Sequence, residues 1–271
     1  MEQVLVIFGS ESDATVYNPI LSGLREKGVK TELRICSAHR TPEKLQHIIK
    51  ETSADLIIAG AGLSAALPGV IASHSIKPVI GVPVDGNYGG LDALLSIHQM
   101  PGGMPVLGTG VNSVEETCEA VAIALKKHKS VKILNRLGEN NSLTKRIYSG
   151  VSILEELGVG FSIVEDIGLK FDVENEILIN LHEFGQSLIE REGALIINVP
   201  ILKDSTPSDS IKLLEESKTG LWVGLNRVDN ACLGAVQLLN IGFSGFSRKI
   251  GVFREKQKQK VLESDERERK K

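Results

Sequence analysis

Cysteine is scarce. Cys36, Cys118 and Cys232 are odd in number, far apart and in no Cys-x-x-Cys spacing, which argues against a disulfide framework and a zinc site. They read as buried or incidental thiols that pack as small hydrophobes, with Cys36 able to line a pocket because it precedes the richest motif in the chain. An excess of positive charge is missing too. The formal net charge is -3, so no electrostatic footprint for nucleic acid exists and polyanionic partners are not expected. No apolar run approaches the ~20 residues that a membrane span needs. The strand-like Val4 to Phe8 lies too close to Met1 for the charged start of a signal peptide. A cytoplasmic protein without membrane contact is expected.

What remains is ordinary for a globular α/β chain: 271 residues, 42% hydrophobic and 24% charged, enough for two modest domains or one large one. Val4-Leu5-Val6-Ile7-Phe8 is a short apolar run ending in Gly9-Ser10, and Ala14 to Lys27 carries Leu21 and Leu24 at helical spacing until Gly28 stops it. The β-loop-α unit repeats. Strands are expected over Thr31 to Ile35, Leu56 to Ala59, Pro78 to Val82 and Val106 to Thr109, with helices over Pro42 to Glu51, after Leu67 and near Leu91 to Ile97. Short buried strands alternating with helices imply a parallel, doubly wound sheet, whose ligands sit beyond the carboxyl ends of the strands.

Lys126-Lys127-His128-Lys129 reads as a polar hinge, after which Val131 to Leu134 starts a second α/β series. That series looks like a worn copy of the first. Leu154-Glu155-Glu156-Leu157-Gly158 echoes Leu24 to Gly28, Ile197-Asn198-Val199-Pro200-Ile201 matches Ile80-Gly81-Val82-Pro83-Val84, and Gly224-Leu225-Asn226 matches Gly110-Val111-Asn112. Shared Val-Pro and Gly-x-Asn steps go beyond periodicity and point to tandem duplication. The division expected is a first domain over 1–128, a second over 129–253 without catalytic motifs, and a charged tail over 254–271. The tail holds almost no apolar residue and reads as a solvated helix or a disordered segment.

Four motifs sit at strand ends. Gly9-Ser10-Glu11-Ser12-Asp13 offers two hydroxyls and helix N-terminal amides as an anion cradle, although Ser and Asp before a helix are commonly simple caps. In Ser37-Ala38-His39-Arg40-Thr41-Pro42, a proton carrier of near-neutral pKa stands beside a fixed cation suited to phosphate. The small residues of Ala59-Gly60-Ala61-Gly62 let backbone approach a flat ligand. Gly81-Val82-Pro83-Val84-Asp85-Gly86-Asn87-Tyr88-Gly89-Gly90 follows, with Gly86 to Gly90 reading as a lid, and then Gln99-Met100-Pro101.

Taken in order, these motifs resemble the PurE family of aminoimidazole ribonucleotide carboxylases and N(5)-carboxyaminoimidazole ribonucleotide mutases, over about Val4 to Leu125. The resemblance implies a flavodoxin-like three-layer α/β/α sandwich, no metal or organic cofactor, and a compact octamer with sites at subunit junctions. A chain with two such repeats would then form a tetramer. The resemblance also implies that Ser10 and Arg40 hold a 5'-phosphate with Ser12 and Ser37 nearby, that Asp13 holds the ribose, and that His39 is the acid/base. The Gly60-Ala61-Gly62 backbone would face the imidazole. Expected partners are a ribonucleotide and carbon dioxide. Either carboxyl transfer from N(5) to carbon 4 or direct carboxylation by free carbon dioxide fits the residues. A catalytically impaired binding or scaffold homologue is the reading of another class. One departure stands out: Ala66 occupies the family's His in the A-H-L-P-G step, which puts rate or substrate preference in question, with His98 a compensating candidate. The second half lacks the chemical residues. Arg136-Leu137 stands where Gly9-Ser10 stood, and Asp166-Ile167-Gly168-Leu169 stands in place of Ser37 to Arg40. Asn226-Arg227-Val228-Asp229-Asn230-Ala231 still resembles the family's N-R-G-D-N-A step, so a structural or site-completing domain is expected.

Overall fold

The computed structural model describes residues 3–137, 141–165 and 171–271. Its first half runs β1 (Val4–Phe8), α1 (Ala14–Glu26), β2 (Thr31–Ile35), α2 (Pro42–Glu51), β3 (Leu56–Ala61), α3 (Leu67–His74), β4 (Val79–Pro83), α4 (Leu91–His98), β5 (Leu107–Gly108) and α5 (Val114–Ala124). The second half runs β6 (Ser130–Asn135), α6 (Asn141–Leu157), β7 (Phe161–Val164), β8 (Glu176–His182), β9 (Leu195–Pro200), α7 (Asp209–Glu216), β10 (Leu221–Trp222) and α8 (Val228–Gly242). A last helix, α9, spans Ser247–Arg269. None of the described helices is long and apolar enough to cross a membrane.

The described strands form one sheet in the order β2-β1-β3-β4-β5-β10-β9-β8-β6-β7. Counted from its own first strand, each half has the order 2-1-3-4-5, that of the flavodoxin-like doubly wound fold. Within each half the strands are parallel, and the halves join through an antiparallel pair at Trp222 and Gly108. The carboxyl edge of one half therefore lies on the side of the amino edge of the other.

Period-2 alternation builds the layers. Val4, Val6, Phe8, Leu56 and Ile58 enter a core shared with α1 and α5, and that core continues into the second half through Ile177, Ile179, Leu233 and Val236. Leu5, Ile7, Ile57, Ala59 and Val79 face the opposite way, against α2, α3 and α4. With helices on both faces, the central strands have no polar side to show, which is why β1, β3 and β4 read as continuous apolar runs.

The two halves repeat the same backbone devices. Gly28 and Gly158 both take left-handed φ, 75° and 69°, and in each case the next N–H returns to a helix carbonyl at 2.9 Å, Val29 to Leu24 and Val159 to Leu154. Asn112 and Asn226 are also left-handed, at 54° and 63°. Each donates its N–H to the proline ending the fourth strand of its half, Pro83 at 2.8 Å and Pro200 at 2.9 Å. Each Oδ1 then accepts the N–H two residues past that proline, Asp85 at 3.0 Å and Leu202 at 2.9 Å. The Val-Pro and Gly-x-Asn steps shared in the sequence are thus one turn made twice.

The stretch Lys126 to Lys129 exposes its three lysines, while His128 between them is buried, its Nδ1 3.1 Å from the Lys126 carbonyl. One expectation needs correction. The boundary expected at 253/254 falls inside α9, whose Ile250 and Phe253 are buried and whose Arg254 donates to the Ala72 carbonyl in the first half. Beyond Arg254 the helix runs on with mostly exposed residues, in keeping with the solvated-helix alternative, but it begins earlier and on an apolar footing.

Candidate active site

The site lies where the strand order reverses, at the carboxyl ends of β1, β2, β3 and β4. Beyond β1, the Gly9 N–H bonds the Gly60 carbonyl at 3.2 Å, and Ser10 is extended, its Oγ accepting from Ser12 N at 3.2 Å. The Ser12 hydroxyl lies 2.8 Å from Ser10 Oγ and 3.1 Å from Asp13 Oδ1. Asp13 precedes α1 but makes no side-chain capping bond. Partial burial raises its carboxyl pKa above the ordinary value, and the Ser12 hydroxyl opposes that rise. A carboxyl group kept out of the capping role and half out of water is suited to receiving hydroxyl donors from a ligand.

Beyond β2, Thr41 sets the loop. Its Oγ1 accepts from Ser37 N at 3.0 Å and donates to Ser37 O at 3.1 Å, while Thr41 N also donates to that carbonyl at 2.9 Å. Arg40 N donates to Ser37 Oγ at 3.2 Å. This closed turn, with Pro42 opening α2, fixes the backbone of Ala38 and His39. The side chains of His39 and Arg40 are exposed and have no hydrogen-bond or ion-pair partner among the described residues. Cys36 lies beneath, buried, its Sγ 3.3 Å from Thr41 Oγ1, and does not line the cavity.

Beyond β3, Ala61 and Gly62 lead into Ser64, whose φ is 51°, and then Ala66 and α3. Beyond β4, Asp85 and Gly86 close the ring of loops, the Gly86 N–H bonding Asp85 Oδ1 at 2.7 Å. Tyr88 follows with φ 58° and is 82% exposed.

These loops surround one open cavity of about 580 Å³. Ser10, Ser12, Asp13, Ser37, His39, Arg40, Ala61 and Gly62 all line it. Gly60 does not. A Cβ on Gly60 would stand 2.1 Å from the Phe8 ring, so its missing side chain makes room for that ring in the core, and its carbonyl holds Gly9. The strand period puts Gly60 on the layer below, which a run of small residues did not reveal. Asp85 and Leu67 also line the cavity and were not singled out. For Asp85 the signal was available, a carboxylate directly after a strand that ends in Val-Pro.

His98 does not replace the family's missing histidine. It is fully buried at the end of α4, its ring where a side chain on Gly108 would go, with Nδ1 2.8 Å from Leu94 O. Burial lowers its pKa to about 4 and keeps the ring neutral. Ala66 lines the cavity with a methyl group.

At the carboxyl edge of the second half, two arginines among the described residues bond the protein's own backbone. Arg136 N bonds Leu181 O at 3.2 Å, copying Gly9 on Gly60. Its guanidinium is directed to Ser187 O at 2.7 Å, and Arg146 from α6 donates to the Leu202 carbonyl. Gly138 and Asp166 to Leu169 lie outside the described residues. A separate cavity of about 330 Å³ lies between α5 and the loops around β9 and β10. It is lined by Glu115, Glu116, Glu119, Glu190 and Glu192 against the single cation Arg191, and that net negative charge opposes a phosphate.

A doubly wound half with serine, arginine and histidine side chains around a cavity at its switch point belongs to the flavodoxin-like class of architecture. Comparison with known proteins narrows this. The AIR carboxylase family model matches residues 3–146, and the chain belongs to that family. It is 44% identical over 147 residues to the N5-carboxyaminoimidazole ribonucleotide mutase of Methanocaldococcus jannaschii, covering 54% of this chain and 93% of the relative. It is 45% identical over 119 residues to the Thermotoga maritima protein of the same name, covering 42% and 70%. A crystal structure of Treponema denticola PurE aligns at 27% identity with a TM-score of 0.39, covering 44% of this chain and 78% of that one.

Proposed function

We propose that the first half converts N(5)-carboxyaminoimidazole ribonucleotide to 4-carboxyaminoimidazole ribonucleotide, a step of purine biosynthesis. Ser10, Ser12 and Arg40 hold the 5'-phosphate, with Ser37 shaping the Arg40 turn, and Asp13 accepts from the ribose hydroxyls. The backbone of Ala61 and Gly62 faces the imidazole, and Gly60 acts beneath it by seating Phe8. His39 moves the proton. Protonated, it donates to N(5) as the C–N bond breaks and carbon dioxide departs. Carbon 4 then attacks the trapped carbon dioxide, and the neutral imidazole of His39 takes the ring proton, so that it ends as it began. Holding carbon dioxide beside carbon 4 supplies the effective concentration that solution lacks, and Gly86 to Gly90 would close over it.

The observation that carries the reading is that His39 and Arg40, both without a side-chain partner among the described residues, line the same cavity as Ser10 and Asp13. The test is turnover of each nucleotide by the purified chain. Conversion of the N(5)-carboxy compound without added bicarbonate is expected. Carboxylation of aminoimidazole ribonucleotide only when bicarbonate is present would favour direct carboxylation, and binding of both nucleotides without turnover would favour a scaffold.

A further inference from the structure

We propose that Asn230, in the half without chemical residues, is a positioning residue for the reaction in the other half and acts through α3. The inference rests on the function proposed above. Asn230 sits in the first turn of α8 and is 1% exposed. Its Nδ2 donates to Met100 O at 3.2 Å and to Pro101 O at 3.0 Å, and its Oδ1 accepts from Gly103 N at 2.9 Å. An asparagine amide offers two donor hydrogens and one acceptor oxygen. Here they all go to one loop of the first half, 127 to 130 residues away in sequence.

That loop bears on α3. The Met100 thioether lies against Gly69, its Sδ and Cε 3.2 Å from where a side chain would begin. At the far end of the helix the Ala72 carbonyl receives Arg254 from α9, a cation at a helix C-terminus. The same α9 packs Phe253 and Gln257 on Gly103. The second half and its final helix thus hold α3 at Gly69 and at Ala72, while Ala66 and Leu67 at its N-terminus line the cavity. Gly69 lies two residues past Leu67 in the first turn of the helix, so a shift at Gly69 is passed directly to the residues that line the cavity.

The consequence is selective. The phosphate grip comes from the loops after β1 and β2, which none of these contacts touches. The ring end of the cavity is bounded by the segment that leads into α3. Loss of the Asn230 contacts should therefore reduce turnover while leaving nucleotide affinity nearly intact, since misplacement by about 1 Å is enough to cost on the order of 100-fold in rate.

The test is Asn230→Asp in the full chain. Aspartate keeps the acceptor for Gly103 but sets a carboxylate oxygen against two carbonyls. Turnover per folded molecule should fall at least about tenfold, with the dissociation constant for aminoimidazole ribonucleotide changed less than about threefold. Amide hydrogen exchange should quicken in α3 and stay unchanged in α1. Cys232→Ala, on the same helix and packed against Gly150 of α6, is the control: it should lower Tm without altering turnover per folded molecule or exchange in α3. Should Asn230→Asp fail to fold, Met100→Ala cuts the same link from the other side and should give the same split. Unchanged turnover per folded molecule, a matched loss of affinity, or α3 exchange no faster than wild type would each overturn the proposal. If the wild-type chain turns over neither nucleotide, the proposed function falls. The exchange comparison then still decides whether Asn230 governs α3.

Discussion

The two carboxyl edges of this sheet share a backbone plan and differ in what their loops do with it. In the first half, Ser37 and Thr41 satisfy one another and leave the His39 and Arg40 side chains unpartnered among the described residues, facing a cavity. In the second, Arg136 and Arg146 bond their own backbone carbonyls. Each guanidinium is oriented by the backbone it bonds, Arg136 through one of its five N–H donors and Arg146 through two. The turns at Asn112 and Asn226 occur in both halves and tie the end of the fourth strand to the loop that follows it.

The largest expected effect isolates the proton carrier. His39→Asn should cut turnover by about 10²–10⁴-fold, the usual worth of general acid–base catalysis, with nucleotide affinity near wild type. Activity within about tenfold of wild type would remove His39 from the mechanism.

Separation of the halves comes next. A fragment of residues 1–127 would expose the β5 edge that pairs with Trp222 and the Leu107 side chain that packs on Gly234. It should aggregate or lose activity, and recover when residues 129–271 are added in trans. If the second half stands where a second subunit stands in the octamer that the family resemblance implies, the full chain is expected to sediment as a tetramer with eight flavodoxin-like units and four competent sites. Sedimentation as a stable monomer, or a soluble and fully active fragment, would break the comparison.

The phosphate contact is smaller. Arg40→Ala should weaken nucleotide binding by about 1.5–3 kcal/mol, the range for hydrogen bonds to charged groups, and leave binding of the dephosphorylated riboside unchanged. Arg136→Ala should change neither. Equal losses for nucleotide and riboside would separate Arg40 from the phosphate.

Much of this was legible in the sequence for local reasons. Strands such as Val4 to Phe8 are apolar on both faces, Gly28 and Gly158 stop helices, and the site motifs sit directly after strands, so each signal lies within a few residues of its consequence. What was missed depends on partners far along the chain. The burial of His98 is set by Gly108, the Gly60 vacancy by Phe8, the anchoring of α9 by Ala72, and the role of Asn230 by Met100 to Gly103. None of these pairings has a sequence period. Asp85 is the exception, a residue in plain view at a strand end that was passed over for the glycines behind it.

The finest comparison uses the turn made twice. Asn112→Gly and Asn226→Gly both keep a residue at ease with left-handed φ, so the chain path into α5 and into α8, with Asn230, is preserved. Each removes one side-chain acceptor, from Asp85 N in the first case and Leu202 N in the second. Each should cost about 1 kcal/mol and lower Tm by roughly 2–4 °C for a chain of this size. Activity should tell them apart. Asp85 and Gly86 line the cavity, whereas Leu202 lies at the carboxyl edge of the second half. Turnover per folded molecule should therefore fall severalfold in Asn112→Gly and hold in Asn226→Gly. Equal losses of turnover would mean that the second turn is felt at the first cavity, and the two edges could no longer be treated as separate in function. Equal stability losses with unequal turnover would show one backbone device serving a site in one half and only the fold in the other.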